Sequence, residues 1–292
     1  MNLATLISLS LKASILFIVF GLGLHVTVED VTYLFRRPAR LLKSLLSMNG
    51  AMPLFALALV LAFKGLHPAV KVALVSLALA PIPPILPRKA LKAWGKSSYA
   101  FGLIVVEGLF SIAFIPLAMV LLERAFQIPL QMSPSVVAKL VLAAVIAPLA
   151  AGIAVHRFAP EFAERLAKPV SLVAMLLLVI SVLPVFFAAR HAIASLIGNG
   201  TLIAIAGFVL AGLAFGHVLG GPDPEDRASL GLSTASRHPG VALAIADANF
   251  PQQKKLIFAA LLLYLIVNAL VTIPYLKWMK RRASGIGPAV PT

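Results

Sequence analysis

Nine apolar stretches, two of them interrupted by proline, constrain this chain more than any other feature. They run near 3–24, 41–63, 67–87, 99–122, 135–156, 168–189, 200–220, 228–248 and 255–277. Each is long enough to cross ~30 Å of hydrocarbon. The expected fold is therefore an all-α polytopic membrane protein with about nine transmembrane helices. One membrane domain fills 1–282, and a small, polar, disordered tail follows at 283–292.

The two interruptions fall at corresponding places in the two halves. The first reads Leu77-Ala-Leu-Ala-Pro81-Ile-Pro83-Pro84-Ile-Leu-Pro87, the second Ser233-Thr-Ala-Ser236-Arg237-His238-Pro239-Gly240. Such paired, Pro/Gly-interrupted spans point to the binding site of a secondary transporter. If spans one to four match spans six to nine, the fifth is a connector. The second copy is then inverted, and each break lies in the third span of its copy.

Composition supports the membrane reading. Only 12% of the 292 residues are charged, about half of a soluble domain's share. Net charge is +15, which in a soluble protein would suggest nucleic acid. Here the basic residues sit in short clusters between apolar runs, the pattern that sets topology. Sixteen Lys and Arg fall in one set of alternate loops and seven in the other. That asymmetry predicts the N-terminus outside and the C-terminus in the cytoplasm. The first apolar run has no small-x-small site after Gly23 and is expected to be retained as a span. With no cysteine, thiolate metal sites and thiol chemistry are excluded. No metal-ligand spacing, phosphate loop or nucleophile elbow is present. The reading is a non-enzyme with no metal, no cofactor and no nucleic-acid partner.

The candidate site residues lie in or near the breaks. Pro81, Pro83, Pro84 and Pro87 each lack an N–H, and each leaves a carbonyl four residues back without its helical partner. Irregular backbone at membrane depth must face protein or a water-filled cavity. Pro239 and Gly240 interrupt the second span just after Ser233, Ser236, Arg237 and His238. An arginine at that depth costs between about 3 and about 17 kcal/mol, so it points to function. Glu107 sits well inside its own span, with Ser111 one turn on. A carboxylate there is neutral, paired or part of a proton relay, and pairing with Arg237 is expected. Asn49, Asn268 and His217 are weaker candidates. Gly21, Gly23, Gly102 and Gly108 are expected to allow close helix packing.

The chain resembles the bile acid:sodium symporter family. The resemblance is carried by Phe20-Gly-Leu-Gly-Leu-His-Val-Thr-Val-Glu29-Asp30, by Arg36-Arg37-Pro38, by the two breaks and by Ser236–Ala246. It implies an inverted repeat with a panel and a core domain, and two broken helices crossing in the core. It implies nine spans rather than ten, an extra first helix being absent. The expected setting is the lipid bilayer of a bacterial inner (plasma) membrane, and the expected cargo a small organic anion moved by alternating access.

The departures from the family pattern bear on coupling. Where the family's first break reads Pro-Gly-Gly-x-x-Ser-Asn, this chain has Leu86-Pro87 in place of Ser-Asn. Where the family has a sodium-binding Glu and then Gln-Asn, this chain has Ser233 and then Arg237 and His238. Glu107 and Ser111 fall near the span that supplies further sodium ligands. Sodium is thus a possible partner whose key ligands are missing, with the Arg237 guanidinium in its role and Glu107 and His238 left to carry protons. The alternatives are a non-transporting sensor or scaffold of the same fold, and a related-fold carrier of the arsenite or auxin type.

Overall fold

The computed structural model describes residues 3–83 and 98–285. Pro84 and Pro87 lie outside the described residues, as does all but the start of the C-terminal tail. Among the described residues there is no strand. Ten helices form the body: α1 (Leu3–Gly23), α2 (Pro38–Ala62), α3 (Pro68–Leu79), α4 (Ser98–Phe126), α5 (Pro134–Phe158), α6 (Pro160–Leu196), α7 (Thr201–Leu219), α8 (Pro224–Ala235), α9 (Pro239–Asn249) and α10 (Lys254–Gly285). Seven are long and apolar enough to cross a membrane, namely α1, α2, α4, α5, α6, α7 and α10. The shorter α3, α8 and α9 are the pieces next to the breaks.

Several helices outrun the apolar stretches that announced them. α6 begins at Pro160 rather than near 168, because Glu161, Glu164, Arg165 and Lys168 end an apolar run without ending a helix. Proline at the first helical position sets the start of α2, α3, α5, α6, α8 and α9. Its missing N–H has no intrahelical role there.

Interior prolines act differently. In α2 and α5 a single π turn precedes Pro53 and Pro148, at Leu46–Ala51 and Leu142–Ile146. In α2 the Met52 N–H reaches five residues back to the Ser47 carbonyl. Pro53 has no N–H to offer, so the Met48 carbonyl is left without its usual helical partner.

The apolar interior divides into one large and two small parts. Helices α2 to α10 all give buried side chains to the large cluster. Separate small clusters are built by α1, α5 and α6, around Ile18, Leu22, Leu149 and Ala174, and around Leu24, Ala163 and Ala167. α6 also turns Leu172, Leu176, Ile180, Leu183 and Phe187 outward, each more than half exposed. An apolar face of that extent belongs against lipid.

Two close approaches tie helices together. Gly23 of α1 meets Gly152 of α5 so closely that a β-carbon on either would lie 2.8 Å or less from the partner's backbone. Gly216 of α7 meets Leu230 and Gly231 of α8 in the same way. Gly23 was among the glycines expected to pack closely. Gly216 belongs to a Gly212-x-x-x-Gly216-x-x-x-Gly220 stripe, all three glycines of which lie close to the backbone of α8.

At one end of the bundle Arg40 of α2 bonds Asp226 of α8, and lies 2.9 Å from Asp223. Burial pushes the Asp226 carboxyl up to about 6, with Arg40 pulling it the other way. The unfolded chain releases this proton near 3.8 and the folded chain holds it to about 6. The stability that protonation contributes is therefore present below about pH 4 and lost as pH rises to about 6. Asp226→Asn is expected to flatten melting temperature against pH across that window.

Candidate functional site: the crossing of the two breaks

The second break is narrower than the sequence suggested. Ser233 still lies in α8, and Pro239 and Gly240 form the first turn of α9. Pro239 starts a helix here, as its fixed φ favours. Only Ser236, Arg237 and His238 are extended or irregular. In the first break α3 ends at Leu79, and Ala80 to Pro83 leave the helix, with Pro81 and Pro83 in non-helical backbone.

The two breaks touch through their backbones. The His238 N–H donates to the Pro81 carbonyl at 2.8 Å. That bond removes His238 from its helical duty, so the Thr234 carbonyl is freed. At the first break the Ala80 carbonyl is freed because Ala80 is itself extended, with ψ 148°. With Met48, three carbonyls on three elements lack helical partners, and each must be satisfied in a dry interior.

Arg237 satisfies all three. Its Nε donates to the Thr234 carbonyl at 3.1 Å, Nη1 to Ala80 at 3.2 Å, and Nη2 to Met48. Nη1 also lies 3.6 Å from Oε1 of Glu107. Both residues are 1% exposed. Asn49, from the π turn of α2, donates to the same Oε1 at 3.0 Å. Asn49 was a weak candidate, and the structure brings it into the site.

A second network fixes the break from α10. The Arg237 N–H donates to the Tyr264 hydroxyl at 2.7 Å, and that hydroxyl donates to the Ala235 carbonyl at 2.9 Å. Asn268 donates to Tyr264 at 2.9 Å and to Ser236 at 3.2 Å. Thr234 shares a hydroxyl bond of 2.8 Å with Ser47. Sequence reasoning missed Tyr264, Thr234 and Ser47. Two of the candidates stand apart: the Ser111 hydroxyl bonds its own helix at Gly108, and His217 pairs with Tyr275.

His238 caps α9. Its Nδ1 accepts from the N–H groups of Gly240 at 3.1 Å and Val241 at 3.4 Å. Nδ1 is therefore the unprotonated nitrogen of the neutral ring, and Nε2 carries the hydrogen.

The crossing lines a cavity of about 400 Å³. One wall comes from α1 and α6, with Ile15, Val182 and Phe186. The other comes from α9 and α10, with Leu243, Phe258 and Leu262. Ser236, Arg237, His238 and Asn268 supply its polar lining. Every guanidinium nitrogen of Arg237 has a protein acceptor, and His238 already occupies the first N–H groups of α9.

A model of the Sodium Bile acid symporter family matches residues 13–196. The matched stretch includes the first break and Glu107, and ends before α7, so Arg237 lies beyond it. No curated protein matches the chain significantly.

Proposed function

We propose, for a chain that belongs to the Sodium Bile acid symporter family, that it is a secondary transporter of a small organic anion with a large apolar body. The observation that carries this reading is the cavity itself. It is mostly apolar and is lined in part by the crossing of two broken helices, where transporter sites lie. Asn268 is committed to Tyr264 and Ser236, and the Ser236 hydroxyl donates back to Asn268 Oδ1 at 3.4 Å, so the donor left for a substrate head is His238 Nε2. A carboxylate placed there accepts a hydrogen bond from a neutral donor, with the Arg237–Glu107 pair behind it.

In this reading α3 and the α8–α9 pair are the two broken crossings, which with the seven long helices make nine. The α1–α5–α6 group is the panel, and the helices around the breaks are the core. Rocking one against the other opens the cavity to alternate sides, the C-terminus being cytoplasmic. Titration of His238 or Glu107 would supply proton coupling. Sodium, named in the family description, fits this crossing poorly: the freed carbonyls and the carboxylate that suit a hard cation are taken up by the guanidinium. No step is assigned to it.

The test is a melting-temperature screen of purified protein against organic anions and their neutral amide analogues. Ligand binding raises apparent stability by mass action. An amphiphilic monoanion should stabilise and its amide should not. His238→Asn keeps a side-chain cap for α9 but shortens the reach into the cavity, and should abolish the ligand shift at little cost in basal stability. Equal shifts from anion and amide would refute the assignment of the head-group site.

A further inference from the structure

The oxygens around Arg237 make a cage of the kind that holds a free cation. The Met48, Ala80 and Thr234 carbonyls and the Glu107 carboxylate converge on one buried positive charge. Three further oxygens belong to the same residues or their neighbours: Glu107 Oε2, Asn49 Oδ1 and Ser233 Oγ. Each is buried without a hydrogen-bond partner. A buried acceptor left unused is uncommon. Three at one crossing, all oxygens and one of them anionic, mark a site with more capacity for a cation than one guanidinium uses.

We propose that Arg237 is a tethered cation filling a monovalent-cation cage, which holds the two breaks together without an exchangeable ion and becomes a cation-binding site when the side chain is removed. The geometry explains why arginine serves. Its planar fork carries five donors and a permanent charge, so it can bond carbonyls from α2, α3 and α8 at once. A lysine has one nitrogen and cannot reach three carbonyls that face different edges of the fork. Because the cation is covalently attached, its occupancy is independent of sodium outside the protein.

The experiment uses the purified full-length protein in detergent and reads melting temperature. Arg237→Ala keeps the oxygens and loses the cation, so it should melt well below wild type. Low-millimolar guanidinium chloride or sodium chloride should restore about half or more of the loss relative to choline chloride at equal ionic strength. Wild type should not distinguish the three salts. Adding Glu107→Gln to Arg237→Ala should remove the rescue. Indifference of Arg237→Ala to all three salts would overturn the proposal. So would a wild type that sodium stabilises over choline, a comparison that holds even where the variant cannot be purified. None of these readouts uses a transported substrate, so the outcome is separate from that of the transporter reading.

Discussion

Glu107→Ala is expected to lower stability by about 3–5 kcal/mol, since breaking a buried pair leaves the other charge uncompensated. The stranded charge is Arg237, which cannot relax to solvent because its fork is held by three carbonyls. Asn49 also loses its acceptor. Glu107→Gln keeps an oxygen for Asn49 and should cost less. Glu107→Gln combined with Arg237→Met removes both charges but frees the carbonyls again, so it should fall between Glu107→Gln and Glu107→Ala. A full charge exchange, Glu107→Arg with Arg237→Glu, should not rescue either single change. A carboxylate at 237 would face three carbonyls to which it has nothing to donate. Thermal unfolding of the purified variants ranks these outcomes, and a rescued exchange would show that pairing alone defines the site.

Gly216→Leu is expected to have the second large effect, through backbone contact rather than charge. A β-carbon at Gly216 would lie 2.4 Å from the Leu230 carbonyl and 2.5 Å from the Gly231 backbone. Nothing flexible stands there to move aside, so α7 and α8 must separate. Overpacking of this kind costs about 1–3 kcal/mol for a few methylenes, and leucine should exceed it. α8 carries Ser233 and Thr234 to the crossing, so separation should also disturb the cap over Arg237. Gly216→Ala should show the same direction at smaller size. By contrast Gly207, with open space around it, should accept alanine, which gives a matched control in one helix.

The sequence disclosed the breaks because prolines announce themselves: Pro81, Pro83 and Pro239 carry their missing N–H groups in plain view. It disclosed Glu107 and Arg237 because charges at that depth are costly. It did not disclose what Arg237 bonds. The Met48 carbonyl is free only because α2 widens by one residue before Pro53, and hydropathy does not register that. The Thr234 carbonyl is free only because His238 bonds across to Pro81, a partner 157 positions away in sequence. Tyr264 and Asn268 read as ordinary members of an apolar helix until α10 packs against the break. Helix ends were misjudged wherever charge and helix boundary part company, as at the start of α6.

The length of α6 has a mechanical consequence. Its 37 residues make a rod about 55 Å long at 1.5 Å per residue, well beyond the ~30 Å of hydrocarbon it must cross. Its charged first turns, from Glu161 to Lys168, therefore stand in the aqueous or headgroup layer while Val182 and Phe186 line the cavity. Such a rod is a lever. Tilting it by ~10° about its centre swings each end by roughly 5 Å, given its half-length. Pro169 and Pro184 provide the points where the rod can flex. A small change of angle beside the cavity is thereby magnified at the ends of the helix.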